Sequence, residues 1–374
     1  MMTLRERILS VYRGQRPDVV PYMLDLSHWF YHKRHMPWDI SRSYTDPERE
    51  LIDYHKQAGV GFYLPNLAAF YSAAYPSDVK ADTFTRTVEG APEIVWRLET
   101  GEGVIERRRV WNEQTYAWGI SQWGVREQQD LRVFLSAMSR REFIPHWDCY
   151  RRWDEYVGDQ GVVCLPLGYS AVGYLMHAWM GIEAFVYATL DWPELLRETV
   201  DAVNANLLKL VDLACDSPVE IVLMGDNFSS DIQPEPFFEE WSRGYYQEAI
   251  ARLHRAGKYV AVHIDGRLRG SLRMIRDAGA DGADAVTPTP MGDLSPEACR
   301  AEAGDEFILS GGVSPDLWLP ETPVEMFEEK VLEWLEQKRR TFRFMANAGD
   351  QVPPGADERR IALMRDLVEA NGRF

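Results

Sequence analysis

The chain has 374 residues, of which 58 are acidic and 41 basic, giving a formal charge of −17. That balance opposes binding to phosphate backbones or to an anionic membrane surface, so nucleic acid and membranes are excluded as expected partners. Four cysteines, Cys149, Cys164, Cys215 and Cys299, follow no C-x-x-C spacing and support neither a disulfide framework nor a cysteine-rich zinc knuckle, which leaves buried thiols in a reducing, cytoplasmic compartment as the expectation.

The chain opens on a charged helical pattern, Met1 to Arg16, without the apolar run of a signal peptide. Val19 to Leu24 then reads as a first strand, with Asp25, His28 and His32 just after it. A helix is expected around Glu48 to Ala58, and a second strand over Gly61 to Pro65 with Asn66 at its end. The interval 84–123 differs in character: Ile94 to Leu98 and Val104 to Arg107 alternate around Thr100-Gly101-Glu102-Gly103, the pattern of an antiparallel β-hairpin insertion.

Between Gly161 and Ile182 no Asp, Glu, Lys or Arg occurs over a length that could span a bilayer. Pro166, Gly168, Ser170 and Gly173 break that run, so a strand over Val162 to Leu167 feeding a loop and an apolar helix is the expected structure. From there short apolar runs alternate with amphipathic stretches, the signature of βα units. The further strands are Glu220 to Met224, Tyr259 to Ile264, Ala285 to Thr287, Phe307 to Leu309 and Phe342 to Ala346. Helices are expected at Pro193 to Ala214, Pro236 to Ala256, Leu268 to Ala278, Pro323 to Lys338 and Asp357 to Ala370, several opened by proline in the first turn. Eight strands without a linker or low-complexity tract make a single (β/α)8 TIM barrel spanning 1–374, with the hairpin inserted, the most economical α/β architecture. An open doubly wound sheet is the alternative, but no G-x-G-x-x-G follows any strand.

A barrel gathers its chemistry beyond the carboxyl ends of its strands. Tyr169 follows the third strand, Asp226 and Asn227 the fourth, Gly311 and Gly312 the seventh, and Asn347 and Asp350 the eighth. The fifth strand, Tyr259 to Ile264, ends in His263, Asp265 and Gly266. His263 and Asp265 are two apart, so on an extended chain they leave the same face, either as a hydrogen-bonded structural pair or as groups converging on one ion or proton. Carboxylates and a histidine converging from several strands suit a divalent metal or general acid/base work. Thirteen Trp, seventeen Tyr and fifteen Phe add an aromatic-lined pocket for a small aromatic or other apolar molecule to the expectations.

Several segments in order resemble the uroporphyrinogen decarboxylase superfamily: Arg5-Glu-Arg-Ile-Leu9, Gly14-Gln-Arg-Pro-Asp-Val-Val-Pro21, Gly225-Asp-Asn-Phe228, Gln233-Pro-Glu-Pro-Phe-Phe238, His263-Ile-Asp-Gly266, Ile275-Arg-Asp-Ala-Gly-Ala-Asp281, Phe307-Ile-Leu-Ser-Gly-Gly-Val313 and Gly349-Asp-Gln-Val-Pro-Pro354. The resemblance covers nearly the whole chain and implies a TIM barrel, commonly a homodimer. True decarboxylases carry Arg-Gln-Ala-Gly-Arg-Tyr after the first strand; here that stretch is Asp25-Leu-Ser-His-Trp-Phe-Tyr-His-Lys-Arg34, without the arginines a polycarboxylate substrate needs. His263-Ile-Asp-Gly266 is instead similar to the methyltransferase branch, whose best-known members hold zinc with His-x-Cys and a later Cys. Asp265 and Asp350 stand at those cysteine positions, which replaces soft thiolates by hard oxygens. The resemblance also implies a metal site drawn from His263, Asp226, Glu240, Asp265 and Asp350, with zinc as the metal and a corrinoid protein as methyl acceptor. In that reading Asp226, His263, Asp265 and Tyr169 are catalytic, and Asp25, His28, Asn66, Asn227, Gly311, Gly312 and Asn347 bind substrate. Decarboxylation of uroporphyrinogen or a related acid, and a non-catalytic small-molecule-binding barrel, are the alternatives.

Overall fold

The computed structural model describes residues 1–36, 47–63 and 69–374. Among the described residues twelve strands follow in chain order, with helices between them from β5 onward: β1 (Tyr71–Ala74), β2 (Lys80–Val88), β3 (Ala91–Thr100), β4 (Gly103–Asn112), β5 (Ala117–Gln122), β6 (Glu142–Pro145), β7 (Leu165–Pro166), β8 (Ile221–Phe228), β9 (Tyr259–Ile264), β10 (Gly282–Val286), β11 (Ile308–Val313) and β12 (Phe344–Ala348). The last six form one parallel sheet in the order β7-β8-β9-β10-β11-β12. Parallel bridges complete the circle: Tyr22 pairs with Ala346 at the free edge of β12, Met23 pairs with Gly61, and Phe62 pairs with Gly161 just before β7. The first two expected strands are therefore present as short paired segments, and the architecture is an α/β barrel.

Strand ends fall later than the apolar runs suggest. β11 continues through Gly311 and Gly312 to Val313, and β8 continues through Asp226 and Asn227 to Phe228. Glycine weakens a strand in isolation, but here tertiary packing requires it: a Cβ on Gly311 would lie 2.1 Å from the Val286 carbonyl oxygen, and one on Gly312 would lie 2.5 Å from the Trp334 ring. The expected helix Pro236 to Ala256 breaks at Ser242 into Glu235–Trp241 and Arg243–Arg255. The span 161–182 is likewise not one helix, and among the described residues no helix is long and apolar enough to cross a membrane. None of the four cysteines forms a disulfide.

The hairpin is the centre of something larger. β2, β3, β4 and β5 form a four-stranded antiparallel sheet over Lys80–Gln122, with Leu98 opposite Ile105 and Trp111 opposite Trp118. Its Glu89-Gly90 turn has positive φ at both residues, which closes a tight hairpin in register with strand twist. The alternation that reveals β3 and β4 is weaker in β2, which is exposed almost throughout.

The opposite end of the barrel is plugged. The amino-terminal helix Leu4–Tyr12, started by a capping box between Thr3 and Glu6, buries Ile8, Leu9, Val11 and Tyr12 against Met23, Val162, Cys164, Ile221, Ile308 and Met345. Access to the barrel interior is thus left to the carboxyl ends of the strands. The seam at Gly161 is tight, since a Cβ there would lie 1.9 Å from the Phe62 carbonyl oxygen. Gly161→Ala should therefore cost roughly 3 kcal/mol or more in urea unfolding. Gly101→Ala, which meets no atom within 4 Å, should stay within about 0.5 kcal/mol; equal midpoints for the two variants would show that the seam does not constrain the fold.

Candidate active site

His263 is the last inward-facing residue of β9, and the parallel register sets it directly beside Asp284 on β10. Paired residues on adjacent strands face the same side, so both side chains enter the barrel. His263 Nδ1 lies 3.3 Å from Asp284 Oδ2, and its Nε2 lies 4.0 Å from Asp350 Oδ1 beyond the end of β12. The imidazole is 19% exposed while Asp284 is 4% exposed, so one carboxylate anchors the ring from within and the other meets it at the mouth. Asp284 Oδ1 accepts from Ser310 Oγ at 3.2 Å, and Ser310 Oγ in turn accepts from Asn347 Nδ2 at 3.2 Å. A polar layer drawn from β9, β10, β11 and β12 therefore crosses the upper barrel, above the apolar plug.

Burial alone would drive the His263 pKa down, yet the Asp284 hydrogen bond and the charges of Asp350, Asp284 and Asp265 outweigh it and lift it to about 9. At neutral pH the ring is an imidazolium between carboxylates. Asp350 has its pKa raised, first by the surrounding protein and against the pull of His263, although 44% of its side chain reaches solvent. Asp25, buried behind the first strand and accepting from the Ser27 amide and hydroxyl at 2.9 and 2.6 Å, is raised to about 6, chiefly by burial.

The other expected site residues divide sharply. Asp265 is exposed at the mouth, where Asn227 Nδ2 reaches its Oδ2 at 3.4 Å. Asn227 itself holds a left-handed φ of 46° that turns the chain after Asp226. Tyr169 follows β7, with its ring 5.8 Å from that of His177. His28 Nε2 lies 2.7 Å from the Tyr116 carbonyl oxygen, so it ties the helix Ser27–Lys33 to the inserted sheet.

Asp226 is not turned toward His263's partners. It is 1% exposed and accepts from the Ser170 amide at 2.5 Å, the Ser170 hydroxyl at 2.5 Å and the Tyr246 hydroxyl at 2.9 Å. Those bonds fasten the loop after β7 to the barrel and leave little capacity for a cation. Glu240 lies on the outer helices, 63% exposed and paired with Arg197 at 2.9 Å. Gly311 and Gly312 serve strand and helix packing rather than ligand approach, and Asn347, fully buried, orders the polar layer instead of reaching the mouth. Asn66 lies outside the described residues. Asp284 escaped the sequence reading because it stands inside an all-buried strand, Gly282–Val286, and not after one; a lone carboxylate in such a run was the available signal.

Among the described residues no three His, Cys, Asp or Glu side chains converge as a ready metal cage. The donor chemistry nevertheless suits a divalent cation: an imidazole whose Nδ1 is fixed by a carboxylate, with Nε2 turned toward Asp350, is the second-shell arrangement that orients metal-binding histidines.

His263 gives a pH signature. Because its folded pKa is above the unfolded value of about 6.5, its imidazolium contributes stability that is complete below that value and lost as pH rises through about 9. In metal-free protein, NMR of the ring protons should show a midpoint near 9 that falls by about a unit or more in Asp284→Asn. A midpoint near 6.5, indifferent to Asp284, would contradict the geometry.

The sequence pattern of uroporphyrinogen decarboxylase (URO-D) matches residues 169–371, more than half of the chain. Among solved structures, a methyltransferase from Methanosarcina mazei superposes with a TM-score of 0.63 at 15% identity, covering 99% of each chain. A D-psicose 3-epimerase from Clostridium cellulolyticum H10 gives only 0.36 at 12% identity over 60% of this chain and 83% of the other. No curated protein sequence matches. The eight-membered parallel circuit, the strand-end histidine and the pattern over 169–371 agree, and the chain belongs to the uroporphyrinogen decarboxylase (URO-D) family.

Proposed function

We propose that this protein is a methyltransferase of the URO-D superfamily that moves a methyl group from a small methoxylated or methylated substrate to a corrinoid protein. The observation that carries the reading is His263, fixed by Asp284 and presenting Nε2 to Asp350 at the barrel mouth. The full-length likeness to a methyltransferase barrel is in keeping with it. So is the stretch Asp25 to Arg34, which lacks the arginine pattern of true decarboxylases.

His263, Asp265 and Asp350 would hold a divalent cation, zinc being the favoured one. When bound, the cation supplies Lewis acidity at the substrate heteroatom that leaves as the methyl group departs. Asp284 keeps the His263 ring in one orientation and frees Nε2 for the mouth. Tyr169 bounds the substrate on the side of β7, and the plug formed by Leu4–Tyr12 closes the barrel below, so substrate and methyl acceptor enter from the same end. Asp226 acts indirectly, by holding the Ser170 loop and hence Tyr169 in place.

The test is methyl transfer to reduced cobalamin, followed by its absorbance, with 2-methoxyphenol, glycine betaine and dimethyl sulfide as methyl donors and zinc supplied. Methylcobalamin should form with at least one donor, and His263→Ala should lower the rate roughly a hundredfold or more. Conversion of uroporphyrinogen to coproporphyrinogen without added metal, with no methyl transfer from any donor, would overturn the reading in favour of decarboxylation.

A further inference from the structure

The inserted sheet carries two arginines on the wrong face for a solvated charge. Along β4, Ile105, Arg107, Arg109 and Trp111 share one face, and Ile105 and Trp111 at its ends are buried in the main core. Cross-strand neighbours continue that face, Trp96 beside Arg107 and Ile94 beside Arg109. The arginines on the other face find acids, as Arg108 does with Glu106 at 2.7 Å and Arg97 with Glu99 at 3.1 Å. Arg107 and Arg109 find none. Among the described residues neither makes an ion pair; their best bonds are long ones, 3.4 Å each, to the carbonyl oxygens of Ala178 and His177. The Nε atoms of both are buried without a hydrogen-bond partner.

These carbonyls belong to Tyr174–Trp179, a π-helical turn of the segment that follows β7 and Tyr169. The Arg107 guanidinium is 4.1 Å from the Trp96 ring and 5.0 Å from that of Trp179, which walls it with aromatic faces. Its pKa falls to about 10 through burial and then through the charge of Arg109; burial also lowers that of Arg109. His177 Nε2, beside Tyr169, is another buried nitrogen without a partner. Two adjacent guanidinium groups left uncompensated in a chain of net charge −17 call for an anion that the described residues do not supply.

We propose that Arg107 and Arg109 form a recognition site for a carboxylate of the substrate, roofed by the inserted sheet and bordered by Tyr169 and His177. Planar guanidinium groups match the two oxygens of a carboxylate, and two of them suffice for one such group but not for a polycarboxylate tetrapyrrole. The inference rests on the mouth being the substrate site and not on methyl transfer itself, so binding can succeed where transfer fails. It narrows the substrate to a small methylated or methoxylated acid.

Isothermal titration with benzoate, with benzamide as the uncharged match of its shape, and with inorganic phosphate tests the site directly, and quenching of the tryptophan fluorescence gives a second readout. The wild-type protein should bind benzoate about tenfold or more tighter than benzamide, and tighter than phosphate. Arg107→Gln and Arg109→Gln should each erase the preference, while Arg109→Lys, which keeps the charge, should retain part of it and the native thermal midpoint. Equal or absent binding of benzoate and benzamide by wild-type protein, preference for phosphate, or an unchanged preference in folded glutamine variants would overturn the assignment.

Discussion

One histidine between carboxylates organises this molecule's upper barrel. His263 and Asp284 are forced side by side by the register of β9 and β10, and Asp350 meets the ring from the far end of β12. A buried ion pair of this kind repays its desolvation only if the remaining lone pairs are satisfied, and Ser310, itself held by Asn347, does this for Asp284. The parallel strands cannot slip by one residue without burying His263 in the surrounding helical layer, so the pair also marks the correct register.

Everything around the pair limits access to it. Below, the amino-terminal helix fills the barrel with Ile8, Val11 and Tyr12, so the polar layer is open on one side only. The inserted sheet is joined to the first βα loop through His28 and Tyr116. On the proposed reading, a small molecule with a leaving heteroatom at one end and a carboxylate at the other would engage both the His263 site and the Arg107–Arg109 pair.

The barrel was largely legible in the sequence because parallel strands buried on both faces read as short apolar runs between amphipathic helices, as at Tyr259–Ile264. Strand ends were not, since Gly311 and Asn227 look like terminators until neighbouring backbone explains them. The strand-end rule located His263, Asp265 and Asp350, yet it also offered Asp226, whose carboxylate is consumed by Ser170 and Tyr246. Distance from a strand end does not report which way a side chain turns. Asp284 stayed hidden within its strand, and no sequence signal marked Arg107 and Arg109, which β4 sets on one face with Ile105 and Trp111.

In the proposed site, metal binding takes the Nε2 proton from His263 and places that nitrogen on a cation shared with Asp265 and Asp350. Calorimetric titration of zinc into metal-free protein at pH 8, repeated in buffers of different ionisation enthalpy, measures this most directly. One equivalent should bind with release of about one proton, and both the binding and the proton should be lost in His263→Ala. Zinc binding that is unaltered in His263→Ala, or no stoichiometric binding to the wild-type protein, would contradict the account.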